Sequence, residues 1–195
     1  MNLERLSVAR PKSEERRQAI IDSAIRLIAR EGLGAATAAI AKEAGVPNGS
    51  LFTYFPTKID LFNALYMEIK EELISTVDDG LSDAGDEREQ LLHIWASWTR
   101  WGAANSEKRR VLAQLSVSDD VTEATKEAGF TAAYRSVSLI RQVARHGALR
   151  DQDPAFVGAV VESLASTTMD CMSRDPKHAE QVCTATFEFL WKALR

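Results

Sequence analysis

The chain has 195 residues and a formal net charge of −4, with 45% hydrophobic and 27% charged residues. This composition is typical of a soluble globular protein with a core, and no apolar run approaches the roughly 20 residues of a membrane span. The first residues lack the apolar stretch of a secretory signal, and Cys171 and Cys183 are too few for a disulfide framework. We therefore expect a cytoplasmic protein without membrane association, in which both cysteines are small buried residues.

Charge is distributed unevenly along the chain. From Arg5 to Lys58 there are nine Lys and Arg residues against five acidic residues, a net charge of +4. The rest of the chain therefore carries −8. This asymmetry predicts an N-terminal module that faces an anionic partner, attached to an acidic body.

The first predicted helix follows a polar arm of residues 1–12. Ser13 and the two glutamates after it fit an N-cap followed by acids in the first turn. Gly32 ends the helix. Its buried stripe consists of Ile20, Ala24, Leu27 and Ile28.

Two short helices joined by a tight turn are predicted over about 36–55. Thr37 precedes the first, Gly45 can take a positive φ and end it, and Pro47 suits the first turn of the second. The apolar residues are Ile40, Ala41 and Ala44 in the first helix and Leu51, Phe52 and Phe55 in the second. The second helix also carries the polar residues Asn48, Ser50, Thr53 and Tyr54. Such short or flat hydrogen-bonding side chains suit a helix in the DNA major groove, so the pattern predicts a helix-turn-helix.

A long fourth helix is predicted to begin at Thr57–Asp60, which resembles a capping box with Asp in place of Glu. Its apolar residues are Leu61, Leu65, Ile69 and Leu73, and it is predicted to end near Val77. Residues 78–86 form a polar loop with two glycines. We therefore predict two domains, a DNA-binding domain over 13–73 and a helical body over 78–195.

Three further helices are predicted in the first half of the body. The fifth is marked by Leu91, Trp95 and Trp98. The sixth begins at a Ser106 cap and runs to about Val117. The seventh spans 119–147, is weakened by Gly129 and ends at Gly147.

Two similar signals open the last two predicted helices. Asp153-Pro154 and Asp175-Pro176 each place an N-cap Asp before an N1 Pro. They predict helices over about 154–173 and 177–194. The expected fold class is therefore all-α, with a three-helix DNA-binding module and a helical-bundle body, about nine helices in total.

The string I-A-x-x-A-G-V-x-x-G-x-L-x-x-Y-F-x-x-K, from Ile40 to Lys58, resembles the TetR family of transcriptional regulators. With its flanking helices, the resemblance covers residues 13 to about 73. It implies a homodimer, a recognition helix in the major groove, and a ligand cavity in the body.

The resemblance also implies a set of DNA contacts. Thr37 and Lys58 lie at helix N-termini, where phosphate is favoured, and Asn48 can pair bidentately with adenine. Two departures concern Phe52, where the family usually has Tyr, and the segment Gly32–Ile40, which is one residue shorter than usual and puts the Thr37 contact in question. The full set is Thr37, Pro47, Asn48, Gly49, Ser50, Thr53, Tyr54 and Lys58.

Four basic residues near the N-terminus are further candidates for DNA contact. They could reach the minor groove or the backbone. The alternative is a solvated, charged start of the first helix. The four are Arg10, Lys12, Arg16 and Arg17.

Three of the four tryptophans fall within seven residues. Together with other aromatic and apolar residues they could line an aromatic-walled effector cavity. The alternatives are ordinary core packing and a patch where the body meets the DNA-binding module. The candidate effector-binding residues are Phe62, Tyr66, Leu91, Trp95, Trp98, Trp101, Phe130 and Tyr134. Because no Arg or Lys occurs over 91–99, a strongly anionic effector has no obvious partner there.

The last two predicted helices have apolar faces broader than a single stripe. The resemblance implies that they form the dimer seam, and a reader of palindromic DNA needs a two-fold axis. The alternative is that both helices pack inward. The predicted interface residues are Phe156, Val160, Leu164, Val182, Thr186, Phe187, Leu190 and Trp191.

These patterns favour a ligand-responsive DNA-binding regulator, a repressor that a small apolar or aromatic effector releases from a palindromic operator in double-stranded DNA. We expect neither enzymatic activity, nor a cofactor, nor a metal site, because no catalytic motif stands out and the histidines show no ligand spacing. Two alternatives stay open: a constitutive DNA-binding protein without an effector, and an all-helical enzyme that acts in the aromatic cavity.

Overall fold

The computed structural model describes residues 4–82 and 84–195, with side chains from Lys12 onward. Regular secondary structure in these ranges is entirely helical, which confirms the all-α prediction. The helices are α1 (Glu4–Glu31), α2 (Thr37–Glu43), α3 (Asn48–Tyr54), α4 (Lys58–Asp78), α5 (Glu87–Ala104), α6 (Ser106–Ser116), α7 (Glu123–Ala132), α8 (Tyr134–Ala144), α9 (Pro154–Arg174) and α10 (Ala179–Leu194), with a 3₁₀ turn at Pro176–His178. None of them is both long and apolar enough to cross a membrane.

The helices belong to two compact units. The first consists of Met1–Ile69 and Glu107–Lys126, and the second of Lys70–Ser106 and Glu127–Arg195. The division falls inside α4 rather than in the loop 78–86. It therefore differs from the predicted domains 13–73 and 78–195.

Residues 107–126 join the first unit through packing and hydrogen bonds. Val111 and Leu115 of α6 are fully buried. The Arg110 guanidinium donates to the Ala29 carbonyl of α1 at 3.0 Å. Asn63 of α4 accepts from the Thr122 amide, also at 3.0 Å. Sequence order alone could not reveal this return of the chain to the N-terminal helices.

The first unit keeps the predicted buried stripe of α1, since Ile20, Ala24, Leu27 and Ile28 are all at most 2% exposed. The predicted start of this helix at Ser13 is wrong, because α1 begins at Glu4. Glu4, Arg5 and Leu6 are good helix formers, so the helix extends beyond the cap signal. The Ser13 hydroxyl instead donates to the Tyr54 hydroxyl, at a long 3.4 Å.

Helix caps explain where several helices begin. The capping box before α4 is confirmed: the Thr57 amide donates to Asp60 Oδ2 at 2.9 Å, and the Asp60 amide donates to Thr57 Oγ1 at 3.1 Å. Asp153 caps α9 by accepting from the Ala155 amide at 2.7 Å. Asp175 is the predicted N-cap before Pro176, but the helix it precedes is the 3₁₀ turn. Its carboxylate contacts the His178 ring at 2.7 Å.

The second unit is built around α5, α9 and α10. Trp95 and Phe187 are fully buried at its centre, and the Trp95 indole N–H donates to the Cys183 carbonyl at 3.2 Å. Gly102 allows a close approach of α5 and α9, because a Cβ there would lie 2.3 Å from Met169 Sδ.

The predicted seventh helix over 119–147 is in fact two helices, α7 and α8. They are separated at Ala133, whose ψ of 10° is not helical. Its amide donates to the Phe130 carbonyl three residues earlier, at 3.2 Å, which is a turn rather than an α-helical bond. The described residues therefore form ten α-helices rather than about nine.

Candidate functional site

Helix α3 is held by its apolar side and exposes much of its polar side. Leu51 and Phe55 are buried at 0% and 4% exposure. The turn before α3 depends on Gly45, whose φ of +67° is readily adopted by glycine. The candidate contacts Pro47, Asn48, Gly49 and Thr53 are exposed, while Ser50 and Tyr54 are half-buried. Six of the eight predicted DNA-contact residues therefore lie on one short helix or its N-cap.

Phe52 does not pack with the other apolar residues of α3. Its side chain is 40% exposed, whereas its neighbour Leu51 is fully buried. Successive residues point about 100° apart around a helix, so a residue next to an anchor can face solvent. Phe52 is therefore an apolar residue outside the buried face, and α3 presents an aromatic ring beside its polar residues.

The remaining two candidates, Thr37 and Lys58, are the first residues of α2 and α4. Thr37 is half-buried. The Lys58 ammonium donates to the Leu33 carbonyl at 2.7 Å and lies 5.3 Å from the centre of the Phe62 ring. It therefore stabilises the segment between α1 and α2, a role that sequence reasoning missed.

Some of the positive charge of the first unit is neutralised internally. Arg17 lies 3.0 Å from a Glu68 carboxylate oxygen and stacks over Phe55. Lys12 and Arg16 are exposed. Of the three candidates whose side chains the structure describes, these two are the most accessible to an anion. The side chain of Arg10 lies outside the described residues.

Replacing Lys58 by methionine should have two effects. The free energy of unfolding should fall by about 1–2 kcal/mol, because a hydrogen bond from a charged donor is lost. The salt dependence of DNA affinity should flatten by about one unit of slope, because an ammonium that donates one bond keeps two N–H groups for a phosphate. Binding titrations at several salt concentrations measure the slope.

The control for this variant is Lys177→Met, which removes an exposed ammonium from the 3₁₀ turn of the second unit. It should change neither quantity. A Lys58→Met protein that is less stable but has the wild-type salt slope would show that Lys58 only supports the fold.

The second unit contains a cavity of about 240 Å³. It is lined by residues of α4, α5 and α9 and of the segment 133–140. Most of the lining is aliphatic, and Trp98 supplies one aromatic wall. The apolar lining includes Leu73, Ile74, Ile94, Trp98, Val137 and Ile140.

Of the eight predicted effector-binding residues, the structure brings only Trp98 to this cavity. Phe62 and Tyr66 are buried in the first unit, and Leu91 and Trp95 in the core of the second. Trp101 is buried and donates its indole N–H to Glu72 at 3.1 Å. Phe130 and Tyr134 are exposed.

Polar residues at the cavity were missed because they lie outside the tryptophan segment. Lys70 of α4 and Glu162 of α9 both line it, together with Ser136. Burial lowers the pKa of the Lys70 ammonium, and the negative charge of Glu162 opposes that shift. The helical spacing of α4 places residue 70 on the same face as Leu73, Ile74 and Val77. This spacing could have identified Lys70 from the sequence.

The predicted dimer residues on α9 and α10 fall into three groups. Phe187 and Leu190 are buried in the core of the second unit, so these side chains pack inward within one chain. Phe156 is exposed. The half-buried residues are Val160, Leu164, Val182, Thr186 and Trp191. Sequence reasoning missed Phe189, which is 64% exposed on α10.

Comparison with known proteins agrees with this arrangement. Residues 20–65 match the family described as bacterial regulatory proteins, tetR family. The HTH-type transcriptional regulator AcrR of Shigella flexneri is 32% identical over 114 residues, which is 53% of this chain and 49% of AcrR. The chain thus spans about half the length of that relative in the alignment.

Solved structures extend the likeness beyond the N-terminal helices. A TetR-family protein from Shewanella sp. PV-4 has a TM-score of 0.79 and 26% identity, over 90% of this chain and 96% of that one. The regulator FadR of Bacillus subtilis, solved with stearoyl-CoA, shares the fold with a TM-score of 0.67 and 16% identity, over 91% and 99% of the two chains. Together, the match of residues 20–65 and the likeness in fold over most of the chain support a TetR-family transcriptional regulator.

Proposed function

We propose that this protein is a repressor that binds a palindromic operator as a homodimer and is released by a small, largely apolar effector. The observation that carries the proposal is the exposure of Asn48, Gly49 and Thr53 on a helix anchored by Leu51 and Phe55. A helix held rigidly by its apolar side can present its polar side to base edges in a major groove.

The effector part of the proposal rests on the cavity in the second unit. Helix α4 begins at Lys58 and supplies four of the lining residues, Lys70, Leu73, Ile74 and Val77. A ligand that binds one arrangement of α4 more tightly than another would shift the population between them and change operator affinity. The same cavity favours this function over a constitutive DNA-binding protein, because a protein without an effector needs no ligand cavity.

The direct test is selection of bound sequences from random double-stranded DNA with the purified protein. We expect a palindrome whose half-sites are separated by about 34–36 Å, one helical turn, or a multiple of it. Enrichment of no sequence, or of a single half-site only, would contradict the proposal.

Replacing Asn48 by alanine should weaken binding to the selected operator by about 1–3 kcal/mol, because one bidentate base contact is lost. Binding to random DNA should change little, since its affinity comes mainly from phosphate contacts. Titrations with operator and with random DNA measure the two losses.

Gln152→Ala is a suitable control for the Asn48 variant, because it removes an exposed amide from the second unit. It should leave both affinities unchanged. Equal losses of Asn48→Ala on operator and random DNA would show that Asn48 does not read a base.

A further inference from the structure

We infer that Phe52 of α3 determines part of the operator sequence by packing its ring against the methyl group of a thymine in the major groove. This inference deepens the proposed operator binding and rests on it. It gives a base-reading role to a side chain without a hydrogen-bonding group, which the predicted set of DNA contacts does not include.

The exposure of two aromatic residues in α3 is the reverse of what solvation alone favours. Phe52 has no polar atom in its side chain, yet it is 40% exposed. Tyr54 carries a hydroxyl, yet it is half-buried and therefore less exposed than Phe52. An apolar ring that is hydrated in the free protein gains free energy when a partner buries it. A single exposed ring is common on protein surfaces, so its position among the candidate DNA contacts decides its meaning.

Phe52 lies on the side of α3 that carries the candidate base contact. It is four residues after Asn48 and three after Gly49, and residues at these spacings are neighbours on a helix surface. Asn48 and Gly49 are both exposed, and a Cβ added at Gly49 would meet nothing within 4 Å. The surface beside Phe52 is therefore open, and bases next to the one that Asn48 reads lie within reach of the ring.

The chemistry of the ring selects thymine. Base edges in the major groove present hydrogen-bond donors and acceptors, and the apolar group among them is the C5-methyl of thymine. A phenyl ring offers no conventional hydrogen bond to a base or a phosphate, but it can bury this methyl group.

The distance to Asn48 limits where the thymine lies. Four residues rise about 6 Å along a helix axis, and successive base pairs are about 3.4 Å apart. The thymine should therefore lie within about two base pairs of the base that Asn48 reads. Repeating the selection of operators with Asn48→Ala identifies that base, because the preference at its position should relax.

The test replaces thymines of the selected operator by deoxyuridine, one at a time, because deoxyuridine lacks only the methyl group. Titration of the full chain should find a thymine in this range at which the replacement weakens binding about fourfold, as expected for one buried methyl group. Phe52→Ala should bind the thymine operator at least about fourfold more weakly than the wild type. It should also bind the thymine and deoxyuridine forms equally, whereas replacements at other thymines should affect both proteins alike.

Two further variants control for the loss of a ring. Phe130→Ala removes a phenylalanine that is 48% exposed on α7. It should keep the wild-type affinity and the wild-type response to deoxyuridine. Phe52→Leu keeps an apolar side chain on α3 and should retain part of the preference for the methyl group, so the test does not depend on the alanine variant alone.

The outcomes separate this inference from the proposed function. If a palindromic operator is selected but no thymine in the range responds to loss of its methyl group, operator binding stands and the role of Phe52 is overturned. The role is also overturned if the wild type and Phe52→Ala lose the same affinity at every thymine. If no sequence is enriched from random DNA, operator binding and the role of Phe52 both fail.

Discussion

Replacing Leu190 by glutamate should unfold the second unit. Leu190 is 2% exposed and belongs to the same core as Phe187. An unpaired carboxylate at this position loses its hydration, and the apolar contacts of leucine are lost as well, which together should cost at least about 4 kcal/mol. Such a loss is a large part of the roughly 5–15 kcal/mol that stabilises a typical protein. Thermal and denaturant unfolding followed by circular dichroism measure it.

Leu190→Met is the matched control, because it keeps a similar apolar volume and should cost less than about 1.5 kcal/mol. A Leu190→Glu protein that stays folded but becomes monomeric would show that Leu190 lies in an interface between two chains rather than in the core of one. The sequence alone favoured a position for Leu190 in the interface between two chains.

Replacing Phe189 by glutamate should separate the subunits of the proposed homodimer and leave each chain folded. Phe189 is adjacent to Leu190, but it is 64% exposed, so the charge remains solvated in a single chain. In a dimer formed through α9 and α10 the same charge would be buried and opposed by apolar surface. Operator affinity should then fall at least about 100-fold, because the two half-sites are no longer bound by two DNA-binding domains joined in one dimer. Sedimentation and operator titration measure the two effects.

Phe130→Glu is the matched control for this variant. Phe130 is an exposed phenylalanine on α7, so the same substitution adds the same charge to a different surface of the second unit. It should remain dimeric and bind the operator normally. If Phe189→Glu is also dimeric with normal affinity, the subunits associate through another surface.

Local features of the sequence were sufficient to locate the N-terminal helices, apart from the start of α1. The capping box at Thr57–Asp60, the positive φ at Gly45 and the buried stripe of α1 depend on residues within a few positions of each other. Interactions of this range are encoded by spacing and residue type. The helix-turn-helix could therefore be predicted, and so could the exposed polar residues Asn48 and Thr53 of α3.

Contacts between distant segments decided the rest. Periodicity shows which residues share a face of a helix, but it does not show which other helix that face meets. The tryptophans at 95, 98 and 101 are close in sequence, yet Trp95 donates to Cys183, Trp101 donates to Glu72, and only Trp98 lines the cavity.

The last two helices show the same distinction between helix face and packing partner. Their broad apolar faces could be predicted, but packing on α5 directs Phe187 and Leu190 inward and leaves Phe156 and Phe189 exposed. The sequence by itself determined the helical fold, the family resemblance and the helix-turn-helix, because these depend on local capping and patterning. Only the tertiary structure decided which charged and aromatic residues share a cavity, because burial depends on helices far apart in the chain.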